Sequence, residues 1–265
     1  MKRFVSLFLF PALLLLAGCD LLNGSDSESD SSGTITAADL VGTWEQKTYY
    51  DSEHLSYYET QYTFYDDGTY VVLEDDCDEG GHDYYASKGT YSLDAEGNLT
   101  MTEQYFAYPE SFDVPATDDW TLVDHPETTT GPVLLIGNQL YFDFMIAQGN
   151  VSDIVGEWIS QWSEYGWDGT ENKYETTYYK DVCKFNSDDT YEYAEYESNT
   201  EAFDPPPDTT ETGTYIYADG TLTITPANVD PEELPPPPIK GTIYNNSYLI
   251  IGDETSAKAY AFLKQ

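Results

Sequence analysis

The residues best equipped for chemistry lie in one short run, Asp75-Asp76-Cys77-Asp78-Glu79-Gly80-Gly81-His82-Asp83. Carboxylates at that density can hold Ca²⁺, and a thiolate with a histidine can hold Zn²⁺, but the run has neither calcium-loop spacing nor a Cys-x-x-Cys pair. It reads as a solvated acidic hairpin, and no metal site is assigned to it. The three histidines, His54, His82 and His125, fall in the first half of the chain, and no Gly-x-Ser-x-Gly, His-Glu-x-x-His or phosphate-binding loop occurs. Paired carboxylates serve glycoside hydrolysis, but among 49 acidic residues any chosen pair is uninformative. The chain is therefore expected to be non-enzymatic, with no catalytic residue and no cofactor. Cys77 and Cys183 either form a disulfide that ties two distant segments together or stand as two thiols. Of the aromatic clusters, Tyr49 and Tyr58 in one and Trp162 and Trp167 in the other are the candidate ligand-lining residues. The plainer reading of the same clusters is that Tyr is a good strand former.

One cysteine has a definite expectation. Lys2 and Arg3 precede an apolar stretch, Phe4 to Leu16, that is too short to span a bilayer, the pattern of a signal peptide. The stretch ends in Leu16-Ala17-Gly18-Cys19, which resembles the lipobox of bacterial lipoproteins. The resemblance implies cleavage after residue 18, lipidation of Cys19 and a lasting membrane anchor, because each buried methylene contributes about 0.8 kcal/mol. The expected location is the cell envelope, facing outside the cytoplasm, with the choice of membrane left open. Residues 19–34, rich in Ser, Asp, Glu and Gly, bury too little apolar surface to fold and read as a flexible tether.

Charge narrows the partners. The chain holds 10 basic and 49 acidic residues, a net charge of −39. Loss of Lys2 and Arg3 with the signal peptide leaves 8 basic residues and a balance of −41. Such a surface repels phosphate backbones, so nucleic acid is excluded as a partner. The acidity is explained by solvation in a saline habitat, by a basic protein partner or by divalent cations. Aromatic residues make up 15% of the chain, which argues for a folded body despite the charge.

That body is repetitive. Asp39-Leu40-Val41-Gly42-Thr43-Trp44 returns as Asp153-Ile154-Val155-Gly156-Glu157-Trp158. Thr63-Phe64-Tyr65-Asp66-Asp67-Gly68-Thr69-Tyr70 is answered by Lys184-Phe185-Asn186-Ser187-Asp188-Asp189-Thr190-Tyr191, and Gly89-Thr90-Tyr91 by Gly213-Thr214-Tyr215. Three landmarks in one order indicate a duplication, with repeats over 35–149 and 150–265. Within each, apolar residues alternate with polar ones, as at Tyr62 and Phe64 or Leu222 and Ile224. Turn residues separate the runs at Asp67-Gly68, Glu96-Gly97-Asn98, Gly137-Asn138, Asp219-Gly220 and Asn245-Asn246. The only helical signal beyond the signal peptide is a short turn from Thr36 to Leu40. The expected fold is all-β: two tandem small antiparallel up-and-down barrels, each closed to remove its edges. Pro-rich runs at 204–208 and 231–238 belong in loops.

The order of Gly-x-Trp strand, aromatic strand ending in Asp-Gly, Gly-Thr-Tyr hairpin and terminal aromatic strand with a basic residue resembles the bacterial lipocalin-like domain. The resemblance implies that Trp44 and Trp158 plug the closed ends of barrels, each packing under a basic side chain from the end of its domain. Lys264 fits that second role, whereas the last strand of the first repeat, Gln139 to Gln148, has no Lys or Arg. It also implies a small apolar ligand. The alternative is an acidic interaction or inhibitor module of the envelope whose barrels are filled by side chains.

Overall fold

The computed structural model describes residues 35–49, 56–78, 80–142, 144–168, 173–203, 206–218, 221–227, 239–252 and 262–265. The expected signal peptide, Cys19, the tether and the second Pro-rich run lie outside the described residues. The chain opens with a single helical turn, α1 (Ala37–Leu40), where the Asp39 carboxylate accepts hydrogen bonds from the Thr36 amide and hydroxyl at 2.8 and 2.6 Å. Among the described residues the other regular elements are antiparallel strands, apart from a 3-10 turn at Thr117–Asp119.

The first strands are β1 (Gly42–Tyr49), β2 (Tyr57–Phe64), β3 (Thr69–Asp78), β4 (Gly81–Leu93), β5 (Asn98–Ala107) and the short β6 (Thr121–Leu122). They continue as β7 (Thr128–Pro132), β8 (Leu134–Ile136), β9 (Gln139–Tyr141) and β10 (Met145–Ser152). The second half holds β11 (Val155–Asp168), β12 (Lys173–Phe185), β13 (Thr190–Ser198), β14 (Thr209–Ala218) and β15 (Thr221–Pro226). It ends with β16 (Ile239–Tyr244), β17 (Tyr248–Gly252) and β18 (Phe262–Lys264).

Strand pairing closes the sheet into a ring of eight. β1 to β5 pair in sequence; β5 pairs with β7, which runs through Val133 into β8; β8 pairs with β9. The gap between β9 and β1 is filled by β18, from the far end of the chain. A second circuit runs from β11 to β17 by consecutive hairpins, and β10 fills the gap between β17 and β11. The closing strands are thus exchanged. The expectation that each repeat carries its own closing strand is corrected: Lys264 lies opposite Trp44 in the register, whereas Trp158 lies opposite Ala147. In the register, the first circuit therefore takes Lys264 from the other half opposite its Trp.

The same devices recur at matching positions. Trp44 and Trp158 are fully buried, and each indole N–H donates to the carbonyl four residues earlier, Leu40 O at 2.7 Å and Ile154 O at 2.9 Å. Gly42 and Gly156, which open the Gly-x-Trp motifs, sit at φ of 134° and 147°, where side chains are rarely tolerated. Tyr91 and Tyr215 donate their hydroxyls to Tyr65 O and Asn186 O, both at 2.8 Å, and lie edge-on to Phe64 and Phe185 at 4.9 Å. Aromatic side chains fill the lower half of each circuit around the Trp, the first with Tyr62, Phe64 and Tyr70, the second with Phe185, Tyr191 and Tyr215.

Gly89 and Gly213 explain the Gly-Thr-Tyr motif. A Cβ on Gly89 would lie 1.8 Å from Thr102 O at a register shift in β4, and one on Gly213 would lie 2.2 Å from Thr225 O. The turns form as the sequence predicts at Gly68, Gly97, Gly137 and Asn245-Asn246, each with positive φ. No described helix is long and apolar enough to cross a membrane.

Candidate functional site

β1 and β11 both run upward from their buried Trp, so the two circuits lie side by side with their upper ends on the same side. Directly paired residues share a face of the sheet. Inward positions above Trp44 are Tyr58 and Thr60 on β2, Glu74 on β3, Tyr85 on β4 and Glu103 on β5. The lumen therefore changes from aromatic at its base to acid and tyrosine above. Tyr58 hydrogen-bonds Glu74, and Tyr85 donates to Glu103 at 3.2 Å. Burial pushes the Glu74 carboxyl up. Burial also raises Glu103 to about 7, with repulsion from Glu127 and Glu74 adding to it.

The second circuit has a comparable lining. Inward positions above Trp158 are Trp162 and Glu164 on β11, Asp181 and Tyr179 on β12, and Tyr193 and Glu195 on β13. Trp162 stacks on Tyr179 with ring centroids 5.1 Å apart, and both hydrogen-bond Glu164. Burial, then repulsion from Glu127, raises the Glu164 carboxyl. Tyr193 donates to Glu195 at 3.0 Å, and Tyr191 donates to Glu211.

The two linings meet. β7 pairs with β5 on one edge and with the upper half of β11 on the other, so Met101, Thr129 and Glu164 lie on one continuous face. Gly131 makes room there: a Cβ at that position would lie 3.1 Å from the Trp162 Cβ. The Glu103 amide donates to Glu127 O at 2.9 Å, which places Glu127 between the two linings. The joined surface carries apolar rings, phenol hydroxyls and carboxyls that burial shifts toward the protonated form. These groups can stack on a ring and hydrogen-bond in either direction.

The anticipated residues divide by face. Tyr58 and Trp162 belong to this lining. Trp167 does not: five residues beyond Trp162, it points outward, stacking on His125 at 4.9 Å and meeting Tyr174 edge-on. Tyr49 pairs through its backbone with Tyr57. Cys77 and Cys183 are not bridged to each other. Cys77 faces outward from β3, whereas Cys183 faces the second lumen, where burial and then Glu211 and Asp181 push its thiol up to about 12. The acidic hairpin is not fully solvated either. Asp75 is buried, 4% exposed at its side chain, and its carboxylate accepts from Tyr57 Oη at 2.9 Å and lies 2.9 Å from His82 Nδ1. Sequence reasoning missed Glu74, Glu103 and Glu164; the available signal was strand parity, which sets each of them in phase with the buried aromatics of its strand or its neighbour.

A family model described as a lipocalin-like domain matches residues 154–251. That span contains β11 to β17 and stops short of the closing strand, which this chain takes from β10. No curated protein and no solved structure gives a match. Residues 154–251 are thus similar to a lipocalin-like domain, and the all-β chain with its antiparallel eight-stranded closed barrel is consistent with that fold.

Proposed function

We propose that the chain is a non-enzymatic lipoprotein of the bacterial cell envelope, anchored through Cys19, in which a duplicated lipocalin-like unit binds a small ligand. The observation that carries the reading is the joined upper lining around Tyr58, Glu103, Glu164 and Trp162. Its rings suit an apolar body, and its carboxyls suit a hydroxyl or amine at one end of that body. The aromatic filling of the lower lumens restricts the ligand to the upper half. The same filling, with a mature charge of −41, favours the second reading, an acidic module that binds or inhibits a basic protein.

The test is native mass spectrometry of the chain from Ser25 onward, produced in the envelope of its own host without the lipid. A bound mass of a few hundred daltons that leaves on denaturation is the expected result. A bare mass rejects the carrier reading and turns the search to a protein partner.

A further inference from the structure

On the outer face of the first circuit, away from the joined lining, three side chains stand in a chain of contacts. Cys77 and His82 are paired across the β3–β4 hairpin, and Cys77 Sγ lies 4.0 Å from His82 Nε2. The opposite nitrogen of the same ring, Nδ1, lies 2.9 Å from Asp75 Oδ1. The Asp75 carboxylate is held in turn by the Tyr57 hydroxyl at 2.9 Å. A buried acceptor at Nδ1 fixes the tautomer with the proton on that nitrogen, leaving Nε2 as a base directed at sulfur. The sulfur and the carboxylate contact opposite edges of the imidazole. They therefore do not converge on one point, and among the described residues no group of three or more metal-ligating side chains does so.

We propose that Cys77 is a reactive thiol, activated by His82 with Asp75 as the positioning residue, and that it exchanges with small neutral or cationic disulfides. The thiol proton passes to His82 Nε2. The Cys77 thiolate attacks one sulfur of R–S–S–R, a Cys77–S–S–R bond forms as the S–S bond breaks, and R–S⁻ departs and takes the proton from His82. The step balances: the Cys77 sulfur rises from thiol to disulfide level as the departing sulfur falls from disulfide to thiol level, so the small disulfide is the oxidant.

The surroundings set the preference for charge. The groups facing the triad on the outer face are Lys47 on β1, Tyr57 and Glu59 on β2, Asp75 on β3 and Tyr84 on β4. Lys47 is engaged by Glu59 at 2.6 Å and sits 3.3 Å over the Tyr57 ring, while Tyr84 stacks on His82 at 5.4 Å. Carboxylates thus outnumber cations beside the sulfur, and the whole chain repels anions. Cys77 itself is 9% exposed, but the His82 side chain is 42% exposed and borders an open groove of about 470 Å³ lined also by Tyr84, Tyr108 and Glu110.

The test uses the full chain carrying Cys19→Ser, treated in its folded state with cystamine, a dicationic disulfide, or with a dianionic aromatic disulfide. Adducts are followed by intact mass and peptide mapping between pH 5 and pH 9. The expected result is one adduct, at Cys77, forming faster with cystamine. With the base removed from beside the sulfur, His82→Gln is expected to lower the rate at pH 7 roughly tenfold or more. Asp75→Asn is expected to fall between the two. A His82→Gln rate and pH profile matching the parent overturns the proposal, as does labelling confined to Cys183 or to the unfolded chain. If His82→Gln fails to fold, Asp75→Asn decides: a rate matching the parent overturns the assignment, and a lower rate supports it.

Discussion

Removing residues 262–265 should open the first circuit and leave the second closed, although those residues belong by sequence to the second repeat. β18 makes four cross-strand pairs, Phe262 and Leu263 with β9 and Leu263 and Lys264 with β1, and the Gln265 amide donates to Thr43 O at 2.9 Å. At about 1 kcal/mol for each ladder pair, their loss costs about 4 kcal/mol in local opening and leaves β1 and β9 as bare edges. Free energy of that size corresponds to roughly a thousandfold loss of amide protection. Hydrogen exchange followed by mass spectrometry reads it peptide by peptide. Protection is expected to fall in 42–49 and 139–141 and to persist in 155–168 and 248–252. Loss of protection in β11 and β17, with β1 unchanged, would refute the exchanged connectivity and mean that each repeat closes itself.

Trp44→Phe and Trp158→Phe should each cost about 2–4 kcal/mol in urea unfolding, because each leaves a buried carbonyl without its indole donor and a cavity beside it; a cost below 1 kcal/mol at either would show that the plug is dispensable. Gly89→Ala and Gly213→Ala should destabilise by about 3 kcal/mol or more, since the added carbon meets a backbone oxygen, and wild-type melting temperatures would refute the close approach. Stability should fall as pH rises from about 4.5 to about 7. Glu103 is held protonated in the folded state and ionises freely when unfolded, so the unfolded state gains from deprotonation across that window. Glu103→Gln should flatten the pH dependence of the urea midpoint, and an unchanged slope would remove Glu103 as its source.

Much of the architecture is legible before any coordinates. The paired Gly-x-Trp, Asp-Gly and Gly-Thr-Tyr landmarks place the strands and turns because each reports a backbone demand: positive φ at Gly42 and Gly156, tight hairpins, and close approach at Gly89 and Gly213. The exchange of closing strands is not legible. Met145-Ile146-Ala147 and Phe262-Leu263-Lys264 are both short and largely apolar, so backbone pairing alone does not tell the two gaps apart. Lys264 is the one asymmetry, and local pattern gives no reason to send it across 220 positions to Trp44. The site acids are hidden by abundance, since a buried Glu103 and a solvated one are spelled alike. The outward turn of Trp167 was readable from parity with Trp162, which the clustering of aromatics obscured.

Exchanged closing strands also fix an order of events during folding. β10 precedes β11 to β17 in the chain, so the second circuit has all eight of its members once residue 252 is available. The first circuit, made earlier, waits for residues 262–265, and its final seam joins positions some 220 apart, the slowest kind of contact to form. Until then β1 and β9 present open edges to whatever is nearby, including β10 of the same chain. The half that begins first is completed after the second, and residues 262–265 act as the latch.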